Sequence, residues 1–462
     1  MTEDDHKTGA RVSRRRLLRG GLLAAGGAAA LAPAAANAAA AGSDGKRMPG
    51  QENGPSADRS IRIDKTYRAL IRRNEETPAR IETVKLLPFG GRQVLVRCTA
   101  NQCCYTDSGN VLAPGLWRNR PRPYPLILGH AGMGVVEAIG PEVSTLRVGD
   151  KVFIAGTSQC DRCYNCIRAR ADACLANNLQ QGPVATTADG IPVAQSNGIG
   201  GLAEYSVNYE ERLVPYFSDL PDEEVSMMID IGSTGLGTTC ALRQIESGSS
   251  VVVIGCGPIG LSAVQGARIQ GARKIIAVEP IKARRDLALK FGAHEAVDPN
   301  AFQPGQLLVH LKKLCANPQE GRLFAGGGLP NLAGPDYVIE AVGRQRFMPK
   351  VESARDPTGL DALAMAIDLA PPGGYVMLSG GWGPDDMVST NANGLTLRSR
   401  TIISCQNGGI QSRRDIPRFI RLIEDGKFDA KSLISRVYKF DDVIQAYQDV
   451  ADRTVVTAVV KF

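Results

Sequence analysis

Two stretches of the 462-residue chain hold residue types at spacings that do chemistry. Cys160, Cys163, Cys166 and Cys174 are separated by two, two and seven residues. Four thiolates on one short loop can close a tetrahedron around zinc with no position left open, which marks a structural site. The second stretch is Val251 to Gly260. A β-branched run leads into Gly255, Gly257 and Gly260, with Pro258 and Ile259 opening an apolar helix-like stretch. Gly255 suits a tight turn, Gly257 lets backbone approach a pyrophosphate, and Gly260 lets helix and strand pack closely. The helix N-terminus then offers free N–H groups to the phosphates. Lys274–Val278 reads as a second buried strand and ends at Glu279, 19 residues past Gly260. A carboxylate at that offset takes both hydroxyls of an adenosine ribose and disfavours a 2′-phosphate, so NAD is expected over NADP. Arg284 and Arg285, close behind, soften that preference.

Elements must position these groups, and length and charge bound what they are. A chain this long predicts two or three domains. Of the formal charge of +7, residues 1–38 carry +3, with six basic against three acidic side chains. The remainder has no long basic run and the chain is 5% aromatic, which speaks against nucleic acid as a partner. Ser13-Arg14-Arg15-Arg16-Leu17-Leu18, a short Gly/Ala-rich apolar run and Ala36-Asn37-Ala38 are similar to a bacterial twin-arginine signal. The apolar run is too short for a membrane span. The expectation is export by the twin-arginine machinery to the periplasm or beyond, with residues 39–60 as a linker. That route carries folded proteins, so zinc and nucleotide would be loaded beforehand. Eleven cysteines, an odd number with four at metal spacing, do not make a disulfide framework. Val94–Cys98, Gly134–Gly140 and Lys151–Ile154 read as short strands between turns.

The cysteine quartet, the Gly129-His130-x-Gly132 turn and the nucleotide stretch together resemble the zinc-dependent medium-chain alcohol dehydrogenases, over nearly everything after residue 61. The resemblance implies an α/β fold. A doubly wound parallel Rossmann sheet (232–404) carries NAD, beside a split, mainly β GroES-like catalytic domain (61–231, with the return segment 405–462). It also implies a second, catalytic zinc. The family's first ligand matches Cys104 in Cys104-Tyr105-Thr106-Asp107, rather than its neighbour Cys103. The second matches His130. The third falls on Asp230 ahead of Ser233-Thr234-Gly235, with Cys240 as the rival. An aspartate there is similar to the branch containing the glutathione-independent formaldehyde dehydrogenases and dismutases. The alternative role for Asp230 is to cap the following turn.

Three protein ligands leave a zinc position for an alcohol, and the implied reaction is hydride transfer between an alcohol, or hydrated aldehyde, and NAD. Thr106 is the implied proton acceptor, and Asp107 the group that orients His130 through its second ring nitrogen. Val342, in Pro335–Gly343, falls beside the nicotinamide. Several positions depart from the family. Ala131 replaces a glutamate behind the zinc. Tyr105 and Thr457 stand where basic pyrophosphate binders are common, and Gly109 where some members have a relay histidine. Residues 312–333 and 344–356 read as insertions, the second near an extension that encloses the dinucleotide in the formaldehyde dehydrogenase branch. Trp117 and the Arg118–Pro125 stretch are placed at the substrate entrance. Export away from free NAD implies NAD(H) held through turnover. The competing readings are a zinc lyase or hydratase, and a non-catalytic dinucleotide-binding redox sensor. A homodimer or homotetramer is expected.

Overall fold

The computed structural model describes residues 60–113, 125–178, 182–316, 334–356, 358–383, 385–390, 399–404 and 406–462. The signal-like stretch, the linker up to residue 59, Trp117 with residues 118–124, and residues 317–333 lie outside the described residues.

Among the described residues, the first half contains ten strands. They are β1 (Thr66–Arg72), β2 (Arg80–Leu86), β3 (Gln93–Gln102), β4 (Leu126–Ile127) and β5 (Gly132–Ile139). Then come β6 (Lys151–Ile154), β7 (Ala185–Thr187), β8 (Pro192–Gln195), β9 (Tyr205–Tyr209) and β10 (Leu213–Pro215). Strands β1, β2, β7, β8 and β4 close a small barrel. The ten-residue β3 is the hub of the neighbouring sheet. Its first half pairs with β9, and β5 runs along its other edge.

The second half forms a parallel sheet from β11 (Ser250–Ile254), β12 (Lys274–Val278), β13 (Glu295–Val297), β14 (Tyr337–Glu340), β15 (Tyr375–Leu378) and β16 (Thr401–Ser404). The order is β13-β12-β11-β14-β15-β16. This is the doubly wound dinucleotide-binding order, with its switch point between β11 and β14. Strand β11 is buried along its whole length, as a central parallel strand covered by helices on both faces must be.

The chain then returns. Strands β17 (Ile434–Lys439) and β18 (Thr457–Lys461) join the first sheet, where Val459 to Lys461 pair with the end of β3. The helix Ser412–Glu424 contributes Ile416, Phe419, Ile420 and Ile423 to a core that also holds Met133 and Phe153 of the first sheet and Val251 and Val253 of the second. One apolar core therefore ties both halves together.

One expectation needs correcting. Residues 312–315 do not belong to an inserted loop. They end the helix Gln306–Cys315, whose Leu311 and Cys315 are buried against the nucleotide sheet. Leu307, Leu308, Leu311, Leu314 and Cys315 repeat at helical spacing, a signal outweighed in the sequence by the Gly/Pro-rich run that follows.

Candidate active site

The four cysteines of the loop converge, with their sulfur atoms all within 4.8 Å of one another. Backbone N–H groups of Leu175 and Cys166 hold the Cys163 thiol down to about 6. Arg212, buried nearby, supplies positive charge opposite Cys174, and burial lowers its own pKa to about 10. Thiolate-stabilising N–H groups and an adjacent cation suit a zinc held by four sulfurs.

A cleft of about 1530 Å³ runs between the two sheets. It is larger than the few hundred to 1,000 Å³ typical of a small-ligand site, and so has room for a dinucleotide plus a substrate. Cys104, Thr106, His130 and Asp230 line it at one end; Gly255, Gly257, Pro258, Ile259, Glu279, Arg284 and Val342 line it at the other.

Cys104 stands just before the helix Tyr105–Leu112, His130 in the turn ahead of β5, and Asp230 just before the helix Ile231–Gly237. Their donor atoms lie within 4.8 Å of one another. His130 is held from both sides. Its Nδ1–H donates to Asp107 Oδ2 at 2.8 Å, and its Nε2 faces Asp230 Oδ2 at 3.2 Å. Asp107 also accepts the His130 backbone N–H at 3.2 Å and the Asn110 amide at 3.2 Å. With Nδ1 bound, the Nε2 lone pair is directed at the cluster.

Asp230 occupies an N-cap position, but its side chain caps no backbone N–H; it accepts from Thr234 Oγ1 at 3.3 Å and otherwise faces His130. Burial pushes the Cys104 thiol up, and the Asp230 carboxylate adds to that push. A sulfur and a carboxylate that repel as anions, beside a directed imidazole, are a donor set that a divalent cation satisfies. Cys103 is buried beside Cys104 but outside the cluster. Cys240 is also outside it, accepting from the Gln270 amide at 3.1 Å. His294 and His310 have other partners, His294 accepting the Ile275 N–H and His310 packing on Phe302.

At the nucleotide end, Gly255 has φ +87°, and a side chain there would come within 2.7 Å of Val342. At Gly260 a Cβ would collide with the Gly255 carbonyl oxygen. The helix Pro258–Ile269 starts with proline in its first turn, where no N–H is lost. Glu279 is buried and fixed, its two oxygens accepting from Cys256 N at 2.7 Å and Ile281 N at 3.0 Å. Arg285 is turned away, donating to the Glu279 and Pro280 carbonyls and pairing with Asp298 at 3.2 Å. Arg284 faces the cleft.

Three further side chains shape the site. Glu340, fully buried, accepts from the N–H groups of Val342 at 2.7 Å and Gly343 at 2.9 Å, and so fixes the loop carrying Val342. Tyr105 accepts two backbone N–H groups on its hydroxyl, from Arg346 at 2.8 Å and Phe347 at 3.0 Å. Lys350 reaches Asp452 at 2.7 Å, so the segment 344–350 is tied to the catalytic half through both Tyr105 and Asp452. Farther along, Ser353 O accepts from the Asn300 amide at 2.9 Å, on the nucleotide side. The third contributor, Arg453, packs over the Tyr105 ring with its guanidinium 5.0 Å from the ring centre. Only the tyrosine carries a sequence signal, as a departure from a basic position.

Comparison with known proteins agrees with this architecture. Residues 90–222 match the family model described as alcohol dehydrogenase GroES-like domain, and residues 258–425 match zinc-binding dehydrogenase. The chain is 32% identical over 389 residues to a geraniol dehydrogenase of Castellaniella defragrans, covering 82% of this chain and 93% of that one. It is 25% identical to a class-3 alcohol dehydrogenase of Cereibacter sphaeroides, covering 82% and 95%. Among solved structures, an alcohol dehydrogenase zinc-binding domain protein of Burkholderia ambifaria superposes with a TM-score of 0.71 at 25% identity, covering 87% and 100%. Benzyl alcohol dehydrogenase of Acinetobacter calcoaceticus shares the fold, with a TM-score of 0.70 at 24% identity, covering 86% and 99%.

The chain belongs to the zinc-dependent medium-chain alcohol dehydrogenase family. It is an oxidoreductase of small-molecule alcohols, with zinc and a nicotinamide dinucleotide as cofactors. The lyase or hydratase and sensor readings find no support in these relatives.

Proposed function

We propose that this protein is an exported alcohol dehydrogenase that keeps its NAD(H) bound through turnover, with Cys104, His130 and Asp230 as ligands of the catalytic zinc. The observation that carries the reading is the convergence of those three side chains on one point of the cleft that also holds the glycine turn. The aspartate in the trio supports placing the chain nearest the formaldehyde dehydrogenase and dismutase branch. The quartet Cys160, Cys163, Cys166 and Cys174 is assigned the structural zinc. The division into 61–231, 232–404 and 405–462 goes with this reading, supported by the pairing of β18 with β3.

Bound zinc would hold an alcohol oxygen as a Lewis acid, and the nicotinamide would accept the hydride. The chain's own residues do the rest. Asp107 keeps the proton on His130 Nδ1, so that Nε2 stays a ligand. Thr106, exposed at the same end of the cleft, would take the alcohol proton on its hydroxyl oxygen as its own hydroxyl proton moves on. Glu340 fixes the loop carrying Val342, which would border the nicotinamide. Glu279 would receive the adenosine ribose hydroxyls and so favour NAD, with Arg284 beside it.

Retention of the nucleotide is supported by the segment 344–350, which joins the two halves across the cleft through Tyr105 and Asp452. Export is supported by the paired arginines and apolar run of residues 13–38 alone. The geraniol-oxidising relative favours primary alcohols with an apolar body as first substrates to try. The test is a screen of primary alcohols, polyols and aldehydes, run in parallel with a dye acceptor and with added NAD. Turnover with the dye and no added nucleotide supports retention. An empty protein that needs millimolar NAD ends that part of the reading.

A further inference from the structure

Tyr105 and Thr457 stand where basic side chains would meet a pyrophosphate, and neither supplies charge. The Tyr105 hydroxyl already accepts two backbone N–H groups, and Thr457 is fully buried. The glycine turn is nevertheless faced by cations from elsewhere in the chain. Arg284 is only 9% exposed, and its Nη1 lies 3.9 Å from where a side chain on Gly257 would begin. Its other terminal nitrogen reaches no more than the Val455 carbonyl, at 3.4 Å. Arg453 lies over the Tyr105 ring and donates to Gln345 Oε1 at 3.3 Å. Both arginines line the cleft, and among the described residues neither forms an ion pair. Glu279 is near Arg284 and opposes part of its charge without forming an ion pair with it; each Glu279 oxygen accepts one backbone N–H and keeps capacity for a further donor.

Two guanidinium groups that face one cleft, neither of them in an ion pair among the described residues, repel each other and favour an anion between them. Burial lowers the Arg284 pKa and Arg453 lowers it further, while Glu279 opposes both. The backbone adds a separate sign. Arg453 follows the helix Val443–Asp452 with φ +60°, a left-handed position that glycine, and less often asparagine, adopts most readily and that strains an arginine. A chain selected for stability alone would put glycine there. Strain of this kind clusters at active sites and ligand clamps.

We propose that Arg453, with Arg284, is the counter-charge for the dinucleotide pyrophosphate, replacing the cations absent from positions 105 and 457. Tyr105 serves as the platform that aims the Arg453 guanidinium instead of binding phosphate itself. The assignment rests on the reading that the cleft takes a nicotinamide dinucleotide.

The test uses full-length protein freed of nucleotide, as wild type and as Arg453→Gly and Arg453→Gln, with binding of NADH read by fluorescence and ADP and adenosine by competition. Losing a charge-assisted contact should weaken NADH and ADP by roughly ten- to a hundredfold. Adenosine, which has no phosphate, should bind as before. The salt dependence of ADP binding should flatten, and the melting temperature of Arg453→Gly should hold or rise, because glycine relieves the strained position. Equal ADP affinity in wild type and both variants, or an equal loss for adenosine, overturns the assignment alone. A wild-type protein that binds none of the three ligands overturns the dinucleotide reading, and this assignment with it.

Discussion

His130 shows how much one side chain depends on its neighbours. Its ring is gripped at Nδ1 by Asp107, which is itself fixed by Asn110 and the His130 backbone. Replacing Asp107 with asparagine keeps the shape but removes the charge that sets the tautomer. Zinc affinity at the catalytic site should drop by roughly 10- to 100-fold, as measured by competition with a chromogenic chelator. Asp230→Ala should go further and reduce zinc from about two ions per chain to about one, by elemental analysis. Asp230→Cys should retain both ions, since thiolate and carboxylate carry the same charge to the site.

At the scale of elements, the turn between β11 and the helix Pro258–Ile269 is the most constrained piece. Gly255→Ala would force a methyl group to 2.7 Å from the Val342 side chain, at a φ of +87°. The backbone strain alone costs about 1–2 kcal/mol. The clash should push the loop carrying Val342 away from the nicotinamide. A lowered melting temperature together with weaker NADH binding is the expected pair of results. The cysteine lobe is independent of that turn. Cys163→Ser should lower the melting temperature and remove one zinc, while the nucleotide site keeps its affinity for ADP. The helix Gln306–Cys315 belongs at this scale too: it covers the nucleotide sheet, so its apolar face serves stability before function.

Across the whole molecule, the segment 344–350 links halves that are otherwise joined by the shared core and the cleft floor. Tyr105→Phe would leave the Arg346 and Phe347 N–H groups without their acceptor, a loss of about 1–3 kcal/mol. NADH release should quicken by roughly tenfold or more, which stopped-flow fluorescence would read, while binding of the metal should not change. Denaturing the purified wild-type protein and assaying the supernatant should recover close to one nucleotide per chain; recovery of none would contradict retention.

Local features carried much of this in the sequence. The glycine turn, its flanking strands and Glu279 are contiguous or nearly so, and periodicity with steric demand reveals them without a fold. The cysteine quartet is legible for the same reason: one short loop contains all four donors. The assembly of Cys104, His130 and Asp230 is different in kind. Their stretches are 26 and 100 residues apart, and only the return of backbone through two sheets brings their atoms within 4.8 Å. Arg453 was decided by tertiary structure alone, because a cation's role depends on what it faces, and Tyr105, Gln345 and the glycine turn come from distant parts of the chain. Spacing along a chain specifies turns, strands and loop-borne metal ligands. Charge balance in a cleft depends on distances through space, and those exist only once the chain has folded.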